Sequence, residues 1–262
     1  MTEAKYVYGQ NVDDAERERL SHLEAFFDTY TVARLDQIGM TSGWRCLELG
    51  AGQGSVARML ARRVGPSGAV VATDIDLRFL TGLPSNVEVR RHDVETSDLG
   101  QVLYDFIHCR AVLMWLREPA RALHRILSAL KPGGWLLAEE LDWGFCTLAE
   151  HPDAEWATEY LHALFKRHEA AGMRHPYFGR TLPALVAGAG FANLEGDLAA
   201  AVAAEGNSAL EVIRLTVRAL RAPSTAIGES AGDLDRLDAV LANPRAIAVG
   251  IASVGVKARK PE

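Results

Sequence analysis

The stretch LELGAGQGS, residues 47–55, places three glycines at every second position directly behind a short apolar run. Gly50, Gly52 and Gly54 would let the chain turn sharply and bring its backbone close to a ligand without Cβ clashes. A glycine loop on its own also fits a tight turn between a strand and a helix that binds nothing. The surrounding residues therefore have to decide between these two interpretations.

Short apolar runs alternate with helical stripes on both sides of this loop. Aliphatic and aromatic residues predict five strands, over 45–49, 69–73, 87–89, 104–107 and 135–138. Between strands, apolar residues at helical spacing predict helices that end at GP, residues 65–66, and at KPGG, residues 131–134. This alternation predicts an α/β fold, in which helices cover both faces of a doubly wound parallel sheet.

The remaining segments are mostly helical by pattern. An amphipathic helix is predicted over 14–38, either as simple packing or as a cover for a ligand, and further helices over 150–189. Strands are predicted near 193–198 and over 247–256. Pro, Ser and Gly predict a flexible loop over 221–232.

Composition narrows the class of partner. The 262-residue chain has a formal net charge of -6 at pH 7, which gives no general attraction to nucleic acid or an anionic membrane. No apolar run reaches the roughly 18 residues of a membrane span, and the acidic N-terminus is unlike a secretory signal. Three widely spaced cysteines and histidines without a close ligand pair predict neither a disulfide framework nor a metal site. We therefore expect a cytoplasmic protein with a small-molecule partner.

Acidic residues follow the second and third predicted strands. Asp74 ends the second strand, where a carboxylate can accept hydrogen bonds from both hydroxyls of a ribose. Asp93 and Val94 follow the third strand, where an adenine amino group and ring face could rest. Each acid alone is more often a solvated turn residue, but ligands of doubly wound sheets bind at the carboxyl ends of the strands. Together the acids predict a nucleoside pocket.

The glycine spacing and the acid before the loop narrow the choice of nucleoside. A dinucleotide fingerprint has its third glycine three residues after its second, whereas Gly54 follows Gly52 by two. The carboxylate of Glu48 would stand at the mouth of the loop, where it would repel a pyrophosphate and attract a cation. A nucleoside with an amino acid group and a positive charge fits better, and S-adenosylmethionine is that ligand.

Five successive motifs carry a family resemblance: LELGAGQGS, ATDID, RHDVE, YDFIHCRAVLMWL and LKPGGWLLAEE. In order and spacing they resemble the motifs of class I S-adenosylmethionine-dependent methyltransferases over roughly residues 40–145. YVYGQNVDDAERERL and GRTLPALVAGAGF further resemble the small-molecule branch of that family. The resemblance implies a Rossmann-like, mostly parallel seven-stranded sheet with an antiparallel last strand, which matches the strand predicted over 247–256.

The resemblance also implies which residues hold the amino acid end of the cofactor. Gly50, Gly52 and Gly54 would line its methionine moiety. Glu48 would hold its ammonium group, and Arg110 would follow the fourth strand at the same end.

The nucleoside end of the cofactor is implied in the same way. Asp74 would bind the ribose, and Ile75 would pack on the adenine. Asp93 would meet the adenine amino group with Val94 beside it. Tyr8 resembles an aromatic residue that closes over the cofactor in related enzymes.

Catalysis of methyl transfer needs alignment and exclusion of water, and it needs a base only for acceptors that begin protonated. The candidate bases are His108 near the end of the fourth strand, Glu140 and Asp142 after the fifth, and His175 in the helical part. A structural histidine with satisfied hydrogen bonds is the more common alternative for His108. Solvated rim or surface positions are the alternatives for the other three.

The function expected is methyl transfer to an O, N or C atom of a small aromatic or apolar metabolite, for example in natural-product biosynthesis, with S-adenosylhomocysteine as product. The alternatives are a cofactor-binding interaction protein without turnover and a protein or nucleic-acid methyltransferase. The expected division is an N-terminal helical lid segment (1–40), a cofactor-binding core (41–145), a helical substrate cap (146–190) and the C-terminal part of the core (191–262). A homodimer is left open.

Overall fold

The computed structural model describes residues 13–172, 175–204 and 207–262. Eight helices lie in these ranges: α1 (Asp13–Ile38), α2 (Ser55–Val64), α3 (Pro119–Ala129), α4 (Ala154–Ala170), α5 (Leu182–Gly188), α6 (Ser208–Ala219), α7 (Arg221–Ala226) and α8 (Ala231–Leu241). The same ranges contain eight strands: β1 (Arg45–Leu49), β2 (Ala69–Asp74), β3 (Val87–Arg91), β4 (Tyr104–Arg110), β5 (Leu130–Asp142), β6 (Thr147–Ala149), β7 (Ala192–Ala203) and β8 (Ile247–Arg259).

The chain forms two compact units. The first contains 13–26, 141–177 and 199–252, apart from the residues outside the description, and the second contains 27–140, 178–198 and 253–262. The strands of the second unit run in the order β3-β2-β1-β4-β5-β8, and β7 pairs with β8 outside this path. The pairs β3–β2, β2–β1, β1–β4 and β4–β5 are parallel. Strand order therefore reverses between β1 and β4, which puts the loop after β1 at the topological switch point.

The last strand of the second unit is antiparallel to its neighbour. Gly133 N donates to Lys260 O at 3.1 Å, and Lys260 N donates to Gly134 O at 2.9 Å, so the start of β5 lies beside the end of β8. The mostly parallel α/β sheet with an antiparallel last strand is confirmed. The described residues contain eight strands where seven were expected, because β6 pairs antiparallel with 247–249 in the first unit.

Local sequence explains how the chain continues from the glycine loop into helix α2. Helix α2 begins directly behind the glycine loop, and its apolar residues at helical spacing are buried. Val56, Met59, Leu60 and Val64 pack in one cluster with residues of α1 and of the sheet, including Phe106. This packing fixes the end of the glycine loop on a rigid helix.

One strand begins earlier than predicted and one predicted loop was wrong, both for reasons of tertiary structure. The KPGG segment ends α3 as expected but belongs to strand β5, because its backbone pairs with Lys260. The loop predicted over 221–232 contains helix α7, and α8 begins at Ala231. Ser224 of α7 is buried, and its Oγ lies 2.8 Å from His168 Nε2 of α4. The two residues of this contact lie far apart in the sequence, so local composition could not predict it.

The first unit has its own apolar packing. Trp143 and Phe165 are buried, with ring centroids 4.4 Å apart. Arg236 of α8 lies 3.9 Å from the centroid of the Trp156 ring of α4, and it forms an ion pair with Asp153 at 2.5 Å. No helix within 13–172, 175–204 and 207–262 has both the length and the apolar character needed to cross a membrane.

Candidate functional site

The glycine loop after β1 has the open backbone that the sequence predicts. The φ angles of the three glycines are positive: 68° at Gly50, 56° at Gly52 and 89° at Gly54. Residues other than glycine rarely adopt such angles. A Cβ at Gly50 would lie 2.3 Å from Cγ2 of Val112, in the loop after β4. Glycine is therefore required at position 50 both by the backbone angle and by close approach of the next loop.

The acids predicted at the strand ends lie beside this loop or in tight turns. Asp74 Oδ2 accepts a hydrogen bond from Gly52 N at 2.9 Å, and Oδ1 accepts one from Asp76 N at 3.0 Å. Each carboxylate oxygen has a second lone pair that can accept from a ligand hydroxyl. Asp93 Oδ1 accepts from Glu95 N at 2.9 Å, which forms a turn after β3.

Two apolar side chains accompany these acids. Ile75, directly after β2, is 42% exposed, whereas Val94 after β3 is buried. A single exposed aliphatic side chain is normal on a protein surface, so exposure shows only which of the two is accessible. Ile75 is therefore the one of the two with surface free to contact a ligand.

A row of buried charged side chains crosses the strands behind the loop. The register places Glu48 of β1 opposite His108 of β4, and Arg110 of β4 opposite Glu139 of β5, so all four share one face of the sheet. His108 Nδ1 lies 2.7 Å from Glu48 Oε2, and His108 Nε2 lies 2.8 Å from Glu139 Oε2. Because both ring nitrogens face carboxylates, the geometry favours the structural role of His108 over that of a base.

The electrostatics of this row follow from burial and charge. Burial alone lowers the pKa of His108, but the charge of Glu48 and the hydrogen bonds to Glu139 and Glu48 raise it to about 9. Burial raises the pKa of Glu139, but the hydrogen bond and charge of His108, with Arg110 and Arg34, lower it to about 2. Burial raises the pKa of Glu48, against the opposing charge of His108. The two flanking carboxylates therefore favour the charged form of His108.

Arg34 of α1 continues the row on its far side. Its Nη1 donates to Glu139 Oε1 and to Ser253 Oγ, the latter at 2.8 Å. Its Nε donates to Asp197 Oδ2 at 3.0 Å. A Cβ at position 255 would lie 2.1 Å from Arg34 Nε, so Gly255 leaves the space that the guanidinium occupies. The result is a buried cation bound by acids on β5 and β7.

Arg110 joins α1 to the end of the glycine loop. Its Nη1 donates to Asp28 Oδ1 at 3.0 Å and to Thr31 Oγ1 at 2.9 Å, and its Nη2 donates to Ser55 Oγ at 3.1 Å. Ser55 is the first residue of α2. Arg110 thus lies close to the loop, and its contact with a ligand stays a prediction.

Glu140 holds the loop that approaches Gly50. Its Oε1 accepts from Leu113 N at 2.7 Å and from Val112 N at 3.1 Å, at the start of a short 3-10 helix. Among the described residues, none forms a hydrogen bond with its buried Oε2. Burial raises the pKa of Glu140 to about 8, against the lowering effect of these backbone bonds. Like His108, it is held within the protein, which is a positioning role and not that of a solvent-facing base.

The other candidate residues lie elsewhere. Asp142 is buried in the first unit, where it accepts from Gly144 N at 2.9 Å. His175 is exposed and lies 3.7 Å from Glu169. Tyr8 lies outside the described residues. Within the described ranges, no three His, Cys, Asp or Glu side chains are arranged to hold a metal ion.

Sequence reasoning predicted helix α1 but missed the three polar residues on it that complete the charged row. Asp28, Thr31 and Arg34 stand three residues apart on α1, so they form a polar stripe on one face. That stripe, within a helix otherwise predicted to be amphipathic, was the available signal. The stripe could indicate that this face of the helix is polar and buried, but it could not indicate which residues its side chains bind.

The raised pKa of Glu140 leads to a pH-dependent prediction. The folded protein keeps the proton up to about pH 8, whereas an unfolded glutamate loses it near 4.5, so this carboxyl's stabilising contribution falls as pH rises through that window. Glu140→Gln stays neutral. From pH 5 to pH 8, the free energy of unfolding of this variant should therefore increase relative to that of wild type by more than about 1 kcal/mol.

Urea unfolding at the two pH values measures this difference. The same substitution at exposed Glu118 is the control, and its difference from wild type should be equal at both pH values. A Glu140→Gln difference that is also independent of pH would contradict the prediction.

The sheet order and the glycine loop at the switch point define the Rossmann-like class of α/β proteins. A family model described as "Methyltransferase domain" matches residues 15–195, which is more than half of the chain. The chain belongs to this methyltransferase family.

Two individual relatives are also similar in sequence, and one of them is named a methyltransferase. An uncharacterized 37.1 kDa protein in transposon TN4556 of Streptomyces fradiae is 31% identical over 197 residues, covering 70% of this chain and 55% of that protein. Methyltransferase str2 of Strobilurus tenacellus is 32% identical over 174 residues, covering 65% of this chain and 61% of that protein. The chain thus spans 55% to 61% of the length of these two relatives.

A solved structure shares the fold. Phosphoethanolamine N-methyltransferase 2 of Haemonchus contortus, in complex with phosphomonomethylethanolamine and S-adenosylhomocysteine, has a TM-score of 0.60 at 18% identity. The similarity covers 93% of this chain and 57% of that one. At this identity the similarity shows the fold alone.

Proposed function

We propose that this protein is an S-adenosylmethionine-dependent methyltransferase that acts on an O, N or C atom of a small aromatic or apolar metabolite. The observation that carries the proposal is the glycine loop at the switch point, bonded to Asp74 and preceded by Glu48. Membership of the methyltransferase family supports the same reaction.

The residues present fit this cofactor. The positive φ angles at Gly50 and Gly54 turn the backbone sharply after β1, and Cβ atoms at these positions would clash with Val112, Leu80 and Leu83. Asp74 offers free lone pairs for ribose hydroxyls, and the exposed Ile75 offers an apolar face for a base. Glu48 offers a carboxylate for an ammonium group. We propose further that Asp93 and Val94 flank the adenine, and that Arg110 and Tyr8 contact the cofactor.

The cofactor would supply an activated methyl group whose transfer is an in-line displacement. The contribution of this chain is then to bind, orient and exclude water. We infer that Glu140 contributes by holding the loop against Gly50, since its Oε1 accepts from two backbone N–H groups there. Asp142 and His175 are the remaining candidates for a base where an acceptor begins protonated.

The names of relatives support a small acceptor. A ubiquinone/menaquinone biosynthesis C-methyltransferase of Pseudomonas paraeruginosa is 32% identical over 111 residues, and the Haemonchus contortus enzyme was solved with phosphomonomethylethanolamine. The net charge of -6 also disfavours a nucleic-acid acceptor. An interaction protein that binds the cofactor without turnover is the alternative from another class. The lid roles of 1–40 and 146–190, a cytoplasmic location and a homodimer stay predictions.

Calorimetric titration with S-adenosylmethionine tests the cofactor site. We expect wild type to bind, and Asp74→Asn to bind at least about tenfold more weakly because a ribose hydroxyl loses a charged acceptor. Asp98→Asn is the matched control, since Asp98 also accepts from a backbone N–H, that of Gly100 at 3.0 Å, in an exposed turn. Wild-type protein that is folded but does not bind would refute the proposal.

Turnover is tested separately by incubating the protein and S-adenosylmethionine with a panel of metabolites. Mass spectrometry should find one acceptor whose mass increases by a single methyl group, with S-adenosylhomocysteine formed in equal amount. Binding without any product across the panel would favour the interaction protein.

A further inference from the structure

We propose that His108, held by Glu139, is a positioning residue that acts through Glu48 on the ammonium group of the bound cofactor. This inference rests on the proposed function, since it assumes that Glu48 meets that ammonium. It assigns a role to two buried residues, His108 and Glu139, that the proposed reaction does not otherwise use.

The geometry makes Glu48 the link between the row and the loop. Glu48 lies two residues before Gly50, and its Oε2 faces His108 Nδ1 at 2.7 Å. This hydrogen bond fixes the orientation of the Glu48 carboxylate, and it uses Oε2 and not Oε1. On the other side of the ring, Nε2 faces Glu139 Oε2 at 2.8 Å, so the imidazole cannot turn without breaking a second charged hydrogen bond.

The positive charges of His108 and Arg110 also favour the ionised form of the Glu48 carboxylate. A carboxylate as buried as Glu48, 2% exposed, is driven towards its neutral form, and a neutral carboxyl attracts an ammonium weakly. The imidazolium of His108 opposes that protonation, and Arg110 adds to the effect. Glu139 in turn keeps His108 charged, while Arg34 and Thr31 bond Glu139. His108 and Arg110 therefore offset part of the effect of burial on the Glu48 pKa, which stays raised, and the hydrogen bond from His108 holds the carboxylate in place.

A different result is expected if the row of charged residues only stabilises the fold. If His108 only joined β1, β4 and β5, its replacement would weaken every adenosyl ligand by a similar factor. If it acts through Glu48, the loss is confined to ligands that carry the ammonium. Two probes separate these cases: S-adenosylhomocysteine, and its deamino analogue, which keeps the carboxylate and lacks the ammonium.

Calorimetric binding of both probes to His108→Gln is the test. We expect the variant to bind S-adenosylhomocysteine about tenfold more weakly than wild type, the size of one charge-assisted hydrogen bond, and the deamino analogue within about twofold. His168→Gln is the matched control, because His168 is equally buried and bonds Ser224 in the first unit. It should leave the ratio of the two affinities unchanged.

A double-mutant cycle locates the effect at Glu48. In the Glu48→Gln background, His108→Gln should no longer change that affinity ratio, since the group through which it acts is already neutral. Should His108→Gln fail to fold, Glu139→Gln gives the same reading, because its amide oxygen still accepts while its charge is gone. It should shift the ratio in the same direction.

Each other outcome overturns the inference. An equal loss for both probes indicates a structural row, and no loss for either indicates that Glu48 needs no partner. A wild-type protein that binds both probes equally tightly refutes the Glu48 contact but leaves the proposed cofactor intact. A folded wild type that binds neither probe refutes the proposed function, and the inference with it.

Discussion

Gly50→Ala is expected to weaken S-adenosylhomocysteine binding by at least about 100-fold, equivalent to two steps of 1.4 kcal/mol. Two costs combine at this position. The φ of 68° costs an alanine about 1 to 2 kcal/mol, and its Cβ would lie 2.3 Å from Val112 Cγ2. Because Val112 lies in the loop that Glu140 holds, the glycine loop has to move, and the proposed cofactor site moves with it.

The structure offers a control for each cost. Gly39→Ala has nearly the same φ, 70°, and no atom of the described residues would lie within 4 Å of its Cβ, so it measures the backbone strain alone. We expect Gly50→Ala to lower the free energy of unfolding by about 1 to 3 kcal/mol more than Gly39→Ala does, through the clash. Gly39→Ala should leave binding unchanged.

A second substitution removes the clash. In Gly50→Ala with Val112→Ala, both Cγ atoms are gone and the nearest remaining atom of residue 112, Cβ, is 3.7 Å away, an ordinary contact. The double variant should regain stability and part of the binding relative to Gly50→Ala. Urea unfolding and calorimetry measure both. Equal effects of Gly50→Ala and Gly39→Ala would show that close approach to Val112 is unimportant.

Arg34→Met is expected to cost about 3 kcal/mol of folding free energy, the lower end for removing one partner of a buried ion pair, because Glu139 keeps its bonds to His108 and Thr31. Glu139 has no exposed surface, and the guanidinium of Arg34 is itself only 3% exposed. Methionine fills a similar volume but provides no hydrogen-bond donor for Glu139 or for the Ser253 carbonyl. Denaturant unfolding of the two proteins measures the difference.

Arg63→Met is the matched control for this substitution. Arg63 forms a comparable ion pair with Asp36 at 2.6 Å, but the two side chains are 25% and 64% exposed. Such a surface pair should contribute less than about 1 kcal/mol. Gly255→Ala tests the same site independently, since its Cβ would occupy the space of the Arg34 guanidinium. A cost for Arg34→Met no larger than that for Arg63→Met would contradict the buried pair.

Much of the fold could be predicted because its signals are local. The strand at Arg45–Leu49 was predicted with the bounds it has, since an apolar run followed by glycines identifies both the strand and its end. The acids Asp74 and Asp93 could be placed at strand ends for the same reason. Local composition misled at 221–232, where helix α7 forms because tertiary packing buries Ser224.

The candidate site shows where sequence reasoning reached its limit. His108 stood as a candidate base because histidine near a strand end has the right chemistry. Its actual partners are Glu48 and Glu139, which lie 60 and 31 residues away along the chain. Which carboxylate faces which ring nitrogen depends on the register between β1, β4 and β5, and that register is a property of the assembled sheet.

By itself, the sequence determined the glycine loop, the acids after the next two strands and the α/β class, because hydrophobic period and backbone freedom are properties of neighbouring residues. Only the tertiary structure decided that Glu48, His108, Glu139 and Arg34 form one buried row. Burial and pairing of charges arise where distant strands meet, and the same packing that removes water from these groups sets their pKa values.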